Sequence, residues 1–195
     1  MPRTTLRELN GLDQTPAILG EAALVLIDLQ NTYTRGVMEL DGWRPSLDAA
    51  ARLLSRARRE GARVVHVIND GGPGTPYDID AEVGRIHPDV APLDGEPVVV
   101  KRVPDAFVDT DLATCLRPGQ DVVLAGWMTH MCVAFTAQGA FLAGHRPTVV
   151  ADACATRALP VAGAEVPADQ VHRAALATVA DLYGVVVASE RELGR

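Results

Sequence analysis

Six apolar runs of strand length punctuate the chain: "AALVLID" (22–28), "ARVVHVI" (62–68), "PVVVKR" (97–102), "DVVLA" (121–125), "RPTVVAD" (146–152) and "VVVAS" (185–189). Their apolar residues are continuous rather than alternating, the pattern of strands covered on both faces. Between them the period changes. "PSLDAAARLLSRARREG" (45–61) places Leu47, Ala50, Leu54 and Ala57 on one helical face and closes at Gly61, a candidate C′ glycine. Further helices are predicted over "TDLATCLRPG" (110–119), with Thr110 as N-cap, over 131–143, and over "ADQVHRAALATVADLYG" (168–184). Strand and helix alternate nearly throughout. The expected fold is doubly wound α/β, a six-stranded parallel sheet with helices on both faces.

Two stretches break the alternation. Residues 1–20 are mixed and Pro-interrupted, which predicts an arm over the surface. Residues 69–96 hold five glycines and four prolines without a period. Ordered excursions of that length are often functional. The segment 131–144 is apolar nearly all round, as expected of a helix buried on more than one side, and predicts self-association.

With 195 residues the chain suits one domain, 1–195, including the arm. Forty-eight per cent hydrophobic and 22% charged residues are ordinary globular composition. No apolar run approaches the roughly 18 residues of a membrane helix, so no membrane partner is expected. "MPRTTLRELNG" has no apolar signal core, and three cysteines are too few for a disulfide framework; both point to the cytoplasm. A net charge of −7 without a basic cluster argues against nucleic acid. "DLQNTY" (28–33) stands where a dinucleotide fold needs G-x-G-x-x-G, and "GGPG" (71–74) reads as a turn. No histidine has ligand spacing. Neither cofactor nor metal is expected.

Ligands of open parallel sheets bind beyond the carboxyl ends of the strands, where strand order reverses. Asp28 ends the first run, Lys101 the third, and the fourth leads into Cys132. Each has an ordinary reading: a turn aspartate, a surfacing lysine, a buried thiol. Together on one rim they make chemical sense. A thiolate is the nucleophilic form of cysteine, and a nearby cation and a helix N-terminus both lower its pKa. Asp28 can take the thiol proton and return it to a leaving group. His130 stands only two residues from Cys132 and cannot face it on a helix, though it can reach a substrate. His87, in the long excursion, is the other histidine with a possible role.

"VLIDLQN" (25–31), "VVVKRVPDAFVDTDL" (98–112) and "GWMTHMCVAF" (126–135), read together, resemble the isochorismatase-like cysteine hydrolase family over about residues 20–190. The resemblance implies Asp28, Lys101 and Cys132 as a triad. It also implies a cis peptide between Trp127 and Met128, which aims the Met128 and Cys132 N–H groups at an oxyanion. Strand order 3-2-1-4-5-6 and a homodimer or higher homo-oligomer follow from it as well. Residues 33–66 lack the Asp-x-His of the metal-dependent nicotinamidases. Cys132 favours hydrolysis of a small-molecule amide through a thioester, and "VVADACATR" (149–157) is similar to streptothricin hydrolases, which open a cyclic amide. Isochorismatase-type ether hydrolysis, or a non-catalytic binding protein of the same fold, are the alternatives. Gln30, Tyr33, Trp43, Phe107, Trp127 and His130 are the expected substrate-binding walls. The carboxylates Glu39, Asp41, Asp70, Asp78, Asp80, Asp105 and Asp109 of the expected rim loops outnumber Arg35, Arg44 and Arg102, which predicts a cationic substrate.

Overall fold

The computed structural model describes residues 4–194. In chain order the elements are α1 (Leu6–Leu9), β1 (Ala23–Ile27), α2 (Trp43–Glu60), β2 (Arg63–Asn69), β3 (Val98–Lys101), β4 (Asp121–Trp127), a π-turn (Thr129–Val133) running into α3 (Ala134–Leu142), and β5 (Arg146–Ala155). A hairpin of β6 (Leu159–Val161) and β7 (Ala164–Val166), α4 (Ala168–Thr178) and β8 (Val185–Val187) complete them. The main sheet has six strands in the order β3-β2-β1-β4-β5-β8, and every pairing is parallel. Counting only its own strands, that is the expected 3-2-1-4-5-6.

The continuous apolar character of β1 has a direct cause. Leu24 and Leu26 pack with Leu47, Leu53, Leu54 and Ala57 of α2 on one face. Ala23, Val25 and Ile27 pack on the other with Val133, with Ala137 of α3 and with Val179. Each fully buried Leu, Ile or Val side chain contributes about 1.5–3 kcal/mol, so neither face of β1 tolerates a polar residue. The arm is held to the far end of the sheet. Leu6 N–H donates to Asp181 Oδ1 at 3.0 Å, and Ala17 N–H to Thr148 Oγ1 at 3.1 Å.

Four local expectations are corrected. The helix over 110–119 is only a 3₁₀ turn, Leu112–Cys115, with Asp111 rather than Thr110 at its N-cap. Thr110 Oγ1 instead accepts from Leu112 N–H and donates to the Ala106 carbonyl, which holds it outside the turn. The helices predicted over 131–143 and 168–184 each contain a π-turn, Thr129–Val133 and Val179–Tyr183. Between β5 and α4, where no element was expected, stands the β6–β7 hairpin, whose two linking residues, Ala162 and Gly163, both have positive φ, as a type I′ turn requires. Finally, β5 continues to Ala155, beyond 152. Its extension pairs with β4 only after a register shift between Leu124 and Gly126. Gly126 has φ +135° and lies so close to β1 that a Cβ would stand 2.0 Å from the Ile27 carbonyl oxygen. At this point β1 and β4, the two strands where the order reverses, come together at the rim.

Candidate active site

Asp28 follows β1 at φ 53°, a left-handed conformation that aspartate enters more readily than most residues. Its N–H still donates to the Val67 carbonyl at 2.9 Å, while Gln30 N–H turns back onto the Asp28 carbonyl at 2.7 Å. The chain therefore bends sharply with the carboxylate at the sheet's end. Lys101 ends β3, two strands away, and its long side chain crosses the end of β2 to reach Asp28. Cys132 lies in the π-turn after β4. The structure thus brings together three residues far apart in sequence: Lys101 Nζ stands 2.8 Å from Asp28 Oδ2 and 3.2 Å from Cys132 Sγ. A third contact, 3.3 Å to Asn69 Oδ1, helps hold the ammonium.

The cluster is almost dry, with Asp28 and Lys101 enclosed and Cys132 6% exposed. The Lys101–Asp28 contact is an ion pair not aligned as a hydrogen bond, so both Asp28 oxygens remain without a regular donor among the described residues. The Trp127–Met128 peptide is cis. Met131 and Val133 N–H both donate to the Met128 carbonyl, whereas Met128 and Cys132 N–H have no loop or cap partner among the described residues.

Burial governs the electrostatics. It raises the Asp28 carboxyl against the opposing Lys101 charge. Burial pulls the Lys101 ammonium down, but the charges of Asp28 and Cys132 outweigh it and leave the group raised. Burial, and then the Asp28 charge, push the Cys132 thiol up to about 12 against the pull of Lys101. The expectation of a lowered thiol pKa is therefore corrected: one cation cannot offset both desolvation and a carboxylate. At neutral pH the resting group is Cys–SH.

The expected walls divide. Tyr33 is near the cluster: it is raised by burial and by the Asp28 and Cys132 charges, and its hydroxyl meets Tyr77 OH at 3.4 Å. The His130 ring is engaged by Thr156 and lines a groove with Phe135 and Tyr183. Gln30 is buried and spends its amide on Asn69 and on the Gly84 carbonyl, so it clamps the 69–96 excursion rather than facing a ligand. Trp127 is buried, with Nε1–H donating to Ser46 Oγ at 2.9 Å. Trp43 packs beside His87, and His87 Nδ1 accepts from Asp89 N–H, a capping role. Phe107 stacks on His145 just before β5, at the opposite end of the sheet.

The acidic rim is also corrected. Asp70 pairs with Arg102 at 2.7 Å, Asp78 accepts from the N–H groups of Gly74 and Asp80, Asp105 lies against Gly139 of α3, and Asp109 lines a groove outside β3. Of these carboxylates, Asp105 lies within reach of the cluster, since the Lys101 charge acts on it. Three residues on this rim were not anticipated. Tyr77, from the excursion, feels the charges of Cys132 and Asp28. Thr156 Oγ1 meets His130 Nδ1 at 2.5 Å, and Arg157 follows it. Both stand where the strand-end rule points once β5 is known to run to Ala155. Among the described residues no group of three or more His, Cys, Asp or Glu side chains is placed to hold a metal.

The family model described as the isochorismatase domain matches residues 22–191, and the chain belongs to that family of hydrolases. An uncharacterized isochorismatase family protein of Bacillus subtilis is 38% identical over 173 residues, covering 86% of this chain and 96% of the relative. A crystal structure of an isochorismatase from Pseudomonas putida KT2440 superposes with a TM-score of 0.92 at 37% identity, covering 95% of this chain and 97% of that one. A streptothricin hydrolase of Streptomyces noursei is 36% identical, covering 84% of this chain and 61% of the relative. A maleamate amidohydrolase of Pseudomonas putida is 33% identical, covering 69% and 72%.

Proposed function

We propose that the protein is a cysteine-dependent amidohydrolase of small molecules, acting through a thioester on Cys132. The observation that carries this is the single ammonium of Lys101 lying between a buried carboxylate and a buried thiol at the strand-order switch. Two of the relatives above are named for the hydrolysis of amide-bearing compounds.

In this reading Asp28, ionised beside Lys101, accepts the Cys132 proton as sulfur attacks the amide carbon. Met128 and Cys132 N–H donate to the resulting oxyanion, a contribution typically worth about 2.7–4 kcal/mol per donor. The tetrahedral intermediate expels the amine, which takes the proton from Asp28. Asp28 then removes a proton from water, hydroxide adds to the thioester, and collapse releases the carboxylic acid and restores Cys–SH. Because the resting thiol is neutral, proton transfer must accompany attack, and Asp28 must lie beside sulfur. Lys101 keeps Asp28 ionised despite its burial and steadies the sulfur as charge develops. Ether hydrolysis needs no thiol, and so leaves the position of Cys132 unexplained.

The chain acts as one domain, with residues 1–20 as its arm, in a reducing compartment such as the cytoplasm. Its three cysteines are all free. Among the described residues no helix is long and apolar enough to cross a membrane. Ammonia or amine release from a panel of small amides, beside Cys132→Ala, tests the reading. The wild type turns over at least one amide, and the variant loses activity by about 10³-fold or more. An amide hydrolysed equally well by the variant contradicts it.

A further inference from the structure

The head of a helix is ordinarily fastened by a side chain that caps it, and the cap occupies N–H groups found there. The π-turn of Cys132 has no such fastening: Met128 stands at its N-cap and makes no side-chain cap hydrogen bond. A cap would consume the kind of N–H group that an oxyanion needs. The turn is held in another way. Three side chains from three separate elements take hold of the residues at its head.

Trp127 Nε1–H donates to Ser46 Oγ at 2.9 Å, and Ser46 Oγ donates in turn to the Trp43 carbonyl in the first turn of α2. Thr129 Oγ1 meets Nδ1 of His172, from α4, at 2.9 Å. His130 Nδ1 meets Thr156 Oγ1, just beyond β5, at 2.5 Å. Ser46, Thr156 and His172 also line one groove, so the three bonds form a single fastening behind the segment. All of them are made through side chains. The N–H groups of Met128 and Cys132 are left without a loop or cap partner among the described residues.

Thr129 is the informative member. It is 1% exposed, and a buried hydroxyl needs a partner. Thr34, Thr114 and Thr178 satisfy theirs on a carbonyl three or four residues back in their own segment. Thr129 has the end of β4 behind it and turns instead to a histidine 43 residues away, on a helix that packs against the π-turn. Burial lowers the pKa of His172, so the ring is neutral at pH 7 and Nδ1 can accept the hydroxyl proton.

We infer that His172 is a positioning residue of the oxyanion site: bound to Thr129, it fixes the head of the π-turn so that Met128 and Cys132 N–H stay free and aimed at the acyl oxygen. The inference rests on the amidohydrolase reading and adds to it a residue outside the triad. Donors that are free but loosely held must be ordered as the charge develops. Loosening them therefore lowers kcat and spares KM.

The test compares His172→Leu, His172→Asn, Thr129→Val and the double variant His172→Leu/Thr129→Val. The probe is p-nitrophenyl acetate, a small acyl donor, with the Cys132→Ala rate subtracted. His172→Leu lowers kcat about 10- to 100-fold, a part of the loss that follows removal of an oxyanion donor, and KM stays within about twofold. Thr129→Val gives the same loss, and the double variant adds nothing to it, because both changes remove one bond. His172→Asn, whose amide lies near the place of Nδ1, recovers most of the rate. In parallel, amide hydrogen exchange is followed by mass in the peptide 126–135. His172→Leu and Thr129→Val speed it by up to about 10-fold, while residues 22–28 of β1 keep their wild-type protection. Exchange needs no turnover. If no Cys132-dependent turnover is found, the amidohydrolase reading fails and exchange alone decides whether His172 holds the turn. A lowered melting midpoint with kcat intact, unchanged exchange at 126–135 in both single variants, or additive losses in the double variant overturns the inference.

Discussion

Cys132 is a nucleophile candidate that rests as a thiol, and this sets its pH behaviour. Its pKa is pushed up to about 12 by burial and the Asp28 charge, so iodoacetamide should modify it slowly at pH 7, after half-exposed Cys115. Its rate should climb with pH beyond 9. Mass mapping of the alkylated peptides checks this; a Cys132 rate that plateaus below pH 8 would mean that Lys101 outweighs burial. Turnover follows another group. Asp28 must be ionised to accept the proton, and burial raises its pKa above the ordinary 3.8. Activity should therefore rise with pH through a point above 3.8 and show no thiol-linked change between pH 7 and 9. The residues of the proposed triad were legible because each terminates or follows an apolar run, and the strand-end rule needs only those ends. Arg157 follows from the same rule, but Asp152 looked like the end of its strand, and the small residues Ala153, Cys154 and Ala155 carry little strand signal. Gln30, Trp127 and Phe107 have side chains suited to a pocket wall. Which way a buried side chain faces is decided by packing, and one sequence does not contain that.

Among the elements, the 69–96 excursion matters most, because it brings Tyr77 over the cluster. It is pinned at both ends. Gln30 clamps Asn69 and Gly84, and at the far end Glu96 binds Arg58 of α2 at 2.7 Å, His66 of β2 at 3.0 Å and Leu93 N–H at 2.9 Å. The Arg58 hydrogen bond is the largest of the effects that hold the Glu96 carboxyl down at about 2, against burial. A carboxyl depressed in the folded state stabilises fully above its ordinary 4.5, and that stabilisation disappears as pH falls towards 2. Glu96→Gln should lower the melting midpoint at pH 7 by a few degrees. It should also remove part of the loss of stability that the wild type suffers between pH 4.5 and 2. Thermal melts across that range check it; parallel curves for the two proteins would show that Glu96 carries no such linkage. The excursion was recognisable as a break in the alternation from its length and composition. Its fastenings were not, since they join residues 30 to 54 positions apart through side-chain hydrogen bonds.

At the scale of the whole molecule, α3 joins the site to the surface. Its first turn adjoins the π-turn of Cys132, and Thr136, Ala137, Gly139 and Ala140 are buried. Phe135 is 45% and Leu142 72% exposed, however. The apolar character read from 131–144 is thus explained only in part by the sheet, and we propose that the remainder is covered by a second copy of the chain. Sedimentation at micromolar concentration should give a dimer or larger species, with Phe135→Glu shifting it to monomer. A wild-type monomer contradicts the proposal. The central claim, that Cys132 carries the acyl group, is tested most directly by acid-quenching the protein during turnover of an amide and mapping its peptides by mass. The account predicts a hydroxylamine-labile acyl addition on the peptide containing Cys132, absent before substrate is added and absent in Cys132→Ala. An acyl addition on another residue, or undiminished hydrolysis by Cys132→Ala, would contradict it.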